Sequence, residues 1–155
     1  MAWLRQHTWW WFALLAGTTV VVGVTELASG GPIVTIDNVQ ALTGMTSVEL
    51  AANSSQAYRL IEFNVRVEGL HLILVGALVG AIVVYGFRHD RRWAWWTMWS
   101  FPIYTVSLLV LNLIVKTAPG QAPAAQAFTG AIVGMLSAVI LLYSAPRFFP
   151  RKSRC

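Results

Sequence analysis

Glu68 and His71 are the two residues of this sequence whose types and spacing suit acid–base chemistry. They lie three positions apart, so on a helix both side chains project from one face, with Asn64 one turn earlier. A carboxylate beside an imidazole can exchange protons near neutral pH. The pair therefore defines one hypothesis, an enzyme that uses Glu68 and His71, although the chain as a whole favours a protein that is not an enzyme.

The spacing Glu68-x-x-His71 also resembles the Glu-x-x-His motif of di-metal carboxylate bundles. Those sites need the motif twice and two further Glu ligands, whereas here it occurs once, with only Glu26 as a further candidate. We therefore predict no metal site and no other cofactor.

A second face of the same segment carries charges that neutralise each other. Glu62 and Arg66 have the four-residue spacing of an intrahelical ion pair, and Arg59 precedes them. These three residues predict structural ion pairs. The alternative to any chemistry is that Glu26 and Glu68 belong to the same interfacial network.

The elements that must position these residues are membrane helices. Hydrophobic residues make up 57% of the 155-residue chain, and its mean hydropathy is +0.62. A helix needs about 20 mostly apolar residues to cross a bilayer, and the alternating pattern of barrel strands is not seen. We predict an all-α polytopic membrane protein, a four-helix bundle in which the single domain 1–155 has its spans at about 9–28, 58–87, 93–115 and 124–145.

The only long connection, residues 29–57, joins the first two spans. Within it, Thr46-x-x-Glu49 matches a helix-capping box and predicts a short interfacial helix near Ser47–Asn53. We expect this loop to cap the outer end of the bundle, with a binding loop or lid as the alternative.

The basic residues predict the orientation. Short cytoplasmic loops carry an excess of Lys and Arg, and with both termini cytoplasmic, eight of the 11 Lys and Arg residues lie inside, including those of a basic tail over 146–155. The eight are Arg5, Arg88, Arg91, Arg92, Arg147, Arg151, Lys152 and Arg154. We therefore predict a multi-pass protein of the cytoplasmic (inner) membrane with both termini in the cytoplasm. We expect its net charge of +5 to interact with the anionic lipids of the bilayer and not with nucleic acid.

Several polar side chains fall at one depth. Counting about 1.5 Å per residue along each span places them just inside the outer surface. A polar pocket open to the outside is therefore a candidate site, and its predicted members are Glu26, Asn64, Glu68, His71 and Asn112.

Glycine motifs and one proline predict how the helices pack. Gly76-x-x-x-Gly80 and Gly130-x-x-x-Gly134 lie in the second and fourth spans, where small residues let helix backbones approach. We expect these two spans to pack together, with a homodimer face as the alternative. Pro102 should kink the third span or free a carbonyl near its start, because proline has no amide hydrogen to donate.

Cys155 is the only cysteine, so the sequence excludes an intrachain disulfide and the thiol–disulfide class of membrane enzymes. Arg5 ahead of an apolar run could indicate a signal peptide. Three Trp residues at 9–11 and the acidic Glu26 near the end of the run predict a retained span instead.

Three short motifs carry a family resemblance. They are Tyr58-Arg59-Leu60 ahead of a Gly-rich span, Arg92-Trp93-Ala94-Trp95-Trp96 after the basic hairpin, and Leu42-Thr43-Gly44 in the first loop. In layout the chain resembles the small four-span bacterial membrane proteins of the DoxX type. The resemblance implies a bacterial cytoplasmic membrane and no established activity, and the acidic and His positions of sterol-isomerase-like four-span enzymes are not matched.

These observations give three functional hypotheses. The leading one is a non-catalytic accessory or scaffolding subunit of a membrane assembly, whose partner is another membrane protein or a second copy. The second is an outward-facing binding or transport protein for a small molecule, lipid or ion at the polar pocket. The third is an intramembrane enzyme that uses Glu68 and His71.

Overall fold

The computed structural model of this protein describes residues 7–30, 39–40, 43–114 and 125–150. The helix over Ser55–Ile82 continues directly into a π-helical turn, Val83–Phe87, and no strand occurs in these ranges. The helices are α1 Trp9–Ser29, α2 Ser47–Asn53, α3 Ser55–Ile82, α4 Arg92–Met98, α5 Ser100–Ile114 and α6 Ala125–Phe148. Arg5, Cys155, Leu42 and the tail beyond residue 150 lie outside the described residues.

Four helical segments are long and apolar enough to cross a membrane. They are Trp9–Ser29, Ser55–Phe87, Arg92–Ile114 and Phe128–Phe148. The predicted all-α fold with four spans is therefore confirmed. The last helix runs to Phe148, three residues past the expected end of the fourth span.

The four spans are arranged as two antiparallel pairs. Helix α1 packs along α3, and α5 packs along α6. We call the end of the bundle that holds the turn at residues 88–91 the hairpin end, and the end where α2 packs on α3 the cap end. The main described contacts between the two pairs lie in the half nearest the hairpin end.

An aromatic core joins the pairs there. Phe12, Phe87 and Phe148 come from α1, the π-helical turn and α6, and all three are buried. The ring centroids of Phe12 and Phe87 are 5.2 Å apart, and those of Phe87 and Phe148 are 4.8 Å apart. A polar link lies beside them, since Trp11 Nε1 donates to Ser137 Oγ at 3.0 Å. Because lipid tails are as apolar as these rings, close packing and this hydrogen bond hold the pairs together.

Small residues bring α1 and α3 unusually close. A Cβ atom added to Gly23 would lie 2.6 Å from the carbonyl oxygen of Gly69, and one added to Gly69 would lie 2.7 Å from that of Gly23. Gly76 faces Ala16, whose carbonyl oxygen would be 2.9 Å from an added Cβ. In each helix the two small residues are seven positions apart, which is about two turns. These four residues therefore form a continuous glycine seam.

The expected packing of the second span on the fourth through their glycine motifs is wrong. Gly76 packs on α1, and Gly134 packs on α5, where an added Cβ would collide with Thr105. A Cβ added to Gly80 would be in ordinary van der Waals contact with Ala16 of α1, at 3.9 Å. A Cβ added to Gly130 would have no atom within 4 Å. Close approach requires small residues on both facing helices. The small residues that face α3 are Ala16 and Gly23 of α1, and not residues of α6.

Helix α2 begins with the predicted capping box, which is thereby confirmed. The Glu49 amide donates to Thr46 Oγ1 at 3.2 Å, and the Thr46 amide donates to the Glu49 carboxylate at 2.8 Å. Hydrogen bonds from the backbone and then the hydroxyl of Thr46 lower the pKa of Glu49. Ser54, in an extended conformation, separates α2 from α3, and Leu50 is buried beneath α2. The helix therefore covers the cap end of the first pair.

The third span is interrupted near Pro102, as predicted. Helix α4 ends at Met98 and α5 begins at Ser100, with Trp99 as a turn between them. Since Pro102 has no amide hydrogen, the carbonyl of Met98 cannot receive the usual helical bond.

Candidate functional site

The structure places the polar residues of α3 on separate faces. Asn64, Glu68 and His71 share one face, and all three side chains are exposed. We call these three residues the polar stripe. Glu62 and Arg66 lie on the face towards α1 and form an ion pair at 2.9 Å.

Arg66 does more than pair with Glu62. Its Nη1 donates to the carbonyl oxygen of Leu27 at 2.9 Å, near the end of α1. The helix ends at Gly30, which has a φ of 57° and whose amide donates to the Glu26 carbonyl at 3.0 Å. A guanidinium at a helix C-terminus also interacts favourably with the helix dipole, by about 0.3–1 kcal/mol. Arg66 thus ties the cap end of α1 to α3.

Arg59, the third member of the predicted ion-pair set, is not brought to this pair. It is exposed, and no acidic side chain among the described residues lies within 4.0 Å of its charged nitrogens. It lies nine residues before Glu68, so the two side chains project from opposite sides of α3.

Glu26 is the buried acid of the site. Only 2% of its surface is exposed, and it packs over Gly69, whose added Cβ would lie 3.1 Å from the Glu26 Cβ. Its Oε2 atom has no hydrogen-bond donor among the described residues. Gly69 directly follows Glu68 in α3, so Glu26 lies at the level of Glu68 along the helix. The first pair therefore carries two neighbouring carboxyl groups near the cap end.

The five predicted pocket residues do not line one cavity. Glu26 is buried in the seam between α1 and α3, whereas Asn112 lies on α5, in the other helix pair. The amide of Asn112 donates to the carbonyl of Leu108 at 3.0 Å, and that of Asn64 donates to Leu60 at 2.9 Å. Both amides thus bond within their own helices.

A shallow cleft lies elsewhere, beneath α2. Its apolar lining comes from Val39, Leu50, Ile61 and Val65, and its remaining lining residues are Gly30, Ser47, Tyr58 and Glu62. Within the described ranges, no group of three His, Asp or Glu side chains gathers closely enough to hold a metal ion.

The hairpin end collects basic and aromatic side chains. The guanidinium of Arg88 lies 5.2 Å from the ring centroid of Trp9, and Arg92 donates to the carbonyl of Phe148 at 3.1 Å. Arg147 pairs with Asp90 across the turn. Four of the six arginines in the described ranges therefore lie at this end.

Sequence reasoning missed two contacts that position the site. One is the bond from Arg66 to the end of α1, and the other is the approach of Gly69 to Glu26. For the approach of Gly69 to Glu26, the available signal was the seven-residue spacing that Ala16 and Gly23 share with Gly69 and Gly76.

Fold and site together define a multi-pass α-helical membrane protein with an exposed polar stripe on one span. Comparison with protein-family models, with curated protein sequences and with solved structures found no match for this chain. The resemblance to DoxX-type proteins therefore stays a prediction.

Proposed function

We propose that this protein is a non-catalytic accessory or scaffolding subunit of a membrane assembly. The observation that carries the proposal is the exposure of Glu68 and His71 on a spanning helix. Polar side chains facing lipid are costly, and between membrane helices they act as hydrogen-bonding contacts. A surface of this kind suits binding of another membrane component.

The other two hypotheses receive less support. Acid–base catalysis requires the two groups to be held around a substrate in a protected site, whereas Glu68 and His71 are both exposed. An outward-facing pocket would need Asn112 beside Glu26, but these residues lie on different helix pairs.

We also propose that the hairpin end faces the cytoplasm, in the cytoplasmic membrane of a bacterium. Arg88, Arg91, Arg92 and Arg147 all lie at that end, and positive residues of short loops stay on the cytoplasmic side. Arg88 and Arg91 are exposed, so they can meet the phosphates of anionic lipids. The resemblance to DoxX-type proteins supports the same location.

The test is native mass spectrometry of the affinity-tagged protein, extracted in a mild detergent from membranes of cells that express it at native level. We expect a complex of fixed stoichiometry that contains a second membrane protein. A tagged, unrelated four-span protein processed in parallel is the control. Recovery of this chain only as a monomer with lipid would contradict the proposal.

A further inference from the structure

The polar stripe lies on the side of α3 that turns towards the second helix pair. His71 and Ile82 are 11 residues apart, which is about three turns, so they share one face. Ile82 packs against the aromatic core that both pairs build at the hairpin end. Towards the cap end the same face is uncovered: Val75 is 51% exposed, and Glu68 and His71 are also exposed.

This uncovered surface lies within the membrane-spanning part of the helix. His71 and Glu68 are 16 and 19 residues from Phe87, which places them about 24 Å and 28 Å along the helix. A hydrocarbon core is about 30 Å thick, so both positions fall near its far boundary.

The charge on this surface is acidic and uncompensated by the described residues. Glu26 packs over Gly69, the residue that follows Glu68; it is 2% exposed, and its Oε2 has no donor there. Arg66 is engaged by Glu62 and by the end of α1. Arg59 projects from the opposite side of α3. A cation on a partner helix would complement the exposed carboxyl group of Glu68.

We infer that the polar stripe binds a membrane-spanning helix of a partner protein that carries a Lys or Arg residue at the level of Glu68. A basic side chain there would neutralise Glu68, while Asn64 and His71 offer further hydrogen bonds between helices. A symmetric dimer of this chain would instead bring two copies of Glu68 together. This inference rests on the proposed function, since it names the surface through which the subunit assembles.

Site-specific photo-crosslinking in native membranes tests the inference. A benzophenone amino acid replaces Val75, on the stripe face, or Leu70, which is equally exposed but lies about 140° around the helix. Their exposed fractions of 51% and 48% make them a matched pair. We expect an adduct with a membrane protein from position 75 and none with that protein from position 70.

Charge variants then test the chemistry. Glu68→Lys should lower the yield from position 75 at least about tenfold, because it places two like charges at the contact. Glu68→Gln should lower the yield less, and Glu62→Gln should leave it unchanged. The crosslinked partner peptide should lie in a membrane span with Lys or Arg within one turn. Changing that residue to Glu should restore the adduct in the Glu68→Lys variant, which also shows that this variant folds.

Several outcomes would overturn the inference while leaving the proposed function intact. They are an adduct from position 70 only, an adduct unaffected by Glu68→Lys, and an adduct with a partner span that has no basic residue. An adduct with a second copy of this chain would overturn it as well. Adducts with lipid alone, together with a monomer in native mass spectrometry, would overturn both proposals.

Discussion

The glycine seam between α1 and α3 makes a sharp prediction about stability. A Cβ on Gly23 would lie 2.6 Å from the Gly69 carbonyl oxygen, about 0.8 Å short of the 3.4 Å at which ordinary contact begins. Both obstacles nearest to it, the Gly69 oxygen and the Ile73 nitrogen, are backbone atoms. They cannot rotate away, so Gly23→Ala must push the two helices apart.

The expected cost follows from this collision. Overpacking a close contact costs about 1–3 kcal/mol, while alanine favours a helix over glycine by up to about 1 kcal/mol. We therefore expect Gly23→Ala to lower the free energy of unfolding by about 1–2 kcal/mol, which is a factor of roughly 5–30 in the equilibrium constant. The measurement is reversible unfolding in mixed micelles titrated with SDS, followed by circular dichroism.

Gly17→Ala is the matched control. Gly17 lies in the same helix, is exposed and has no atom within 4 Å of an added Cβ. The variant should therefore unfold like the wild type or slightly later. If Gly23→Ala costs no more than Gly17→Ala, the seam does not hold these helices together and the reasoning fails.

The double variant Gly23→Ala/Gly69→Ala extends the same test. Each added Cβ presses on the carbonyl oxygen of the other glycine. Once one substitution has separated the helices, the second should cost less, so the two effects should not add. Additive costs would show that the two glycines act at independent contacts.

Three further predictions concern the ends of the bundle. Gly30→Ala should lower stability by at least about 1 kcal/mol in the same SDS titration, because a φ of 57° is unfavourable for alanine; wild-type unfolding would contradict this. Trp11→Phe and Ser137→Ala should show a coupling of about 0.6 kcal/mol in a double-mutant cycle. A coupling of zero would show that the hydrogen bond between these residues does not stabilise the contact between the two helix pairs. Because the pKa of Glu49 is lowered below its ordinary value of 4.5, its carboxylate stabilises α2 above that pH and loses this effect as the pH falls through the lowered value. An NMR titration followed at the Thr46 and Glu49 amides should therefore report a midpoint below 4.5 in the wild type. In Thr46→Ala the midpoint followed at the Glu49 amide should be higher, because the hydroxyl hydrogen bond is lost. Equal midpoints at the Glu49 amide in the two proteins would contradict the capping box.

The number and type of the spans followed from sequence because they depend on local quantities. Runs of apolar residues long enough to cross a bilayer fix the count of helices. The capping box at Thr46 and Glu49 is also local, since both bonds join residues three positions apart.

The pairing of the spans did not follow from sequence, because it depends on two surfaces at once. Gly76 was identified as a packing residue, but its partner was placed in the wrong helix. The deciding feature is that Ala16 and Gly23 on α1 repeat with the same seven-residue spacing as Gly69 and Gly76. A motif read on one helix alone cannot identify the helix that faces it.

The relative level of Glu26 and Glu68 along the helices was predictable from the sequence, but the direction in which each side chain projects was not. Counting along the spans placed Glu26 and Glu68 at one level, and in the structure Glu26 packs over Gly69, the residue that follows Glu68. The same counting gave Asn112 an equal depth, yet it lies on the other pair. Depth depends only on helix rise, whereas the direction of a side chain depends on how each helix is rotated against its neighbours.

The arrangement in two pairs also makes the chain divisible. Each pair has its own internal contacts, and the turn at residues 88–91 is the connection between them. Two polypeptides, 1–90 and 91–155, would each retain both helices of one pair, and the aromatic core would have to reunite them. Co-expression of the two fragments as a split protein would thus show whether that core, without a covalent link, is sufficient for assembly.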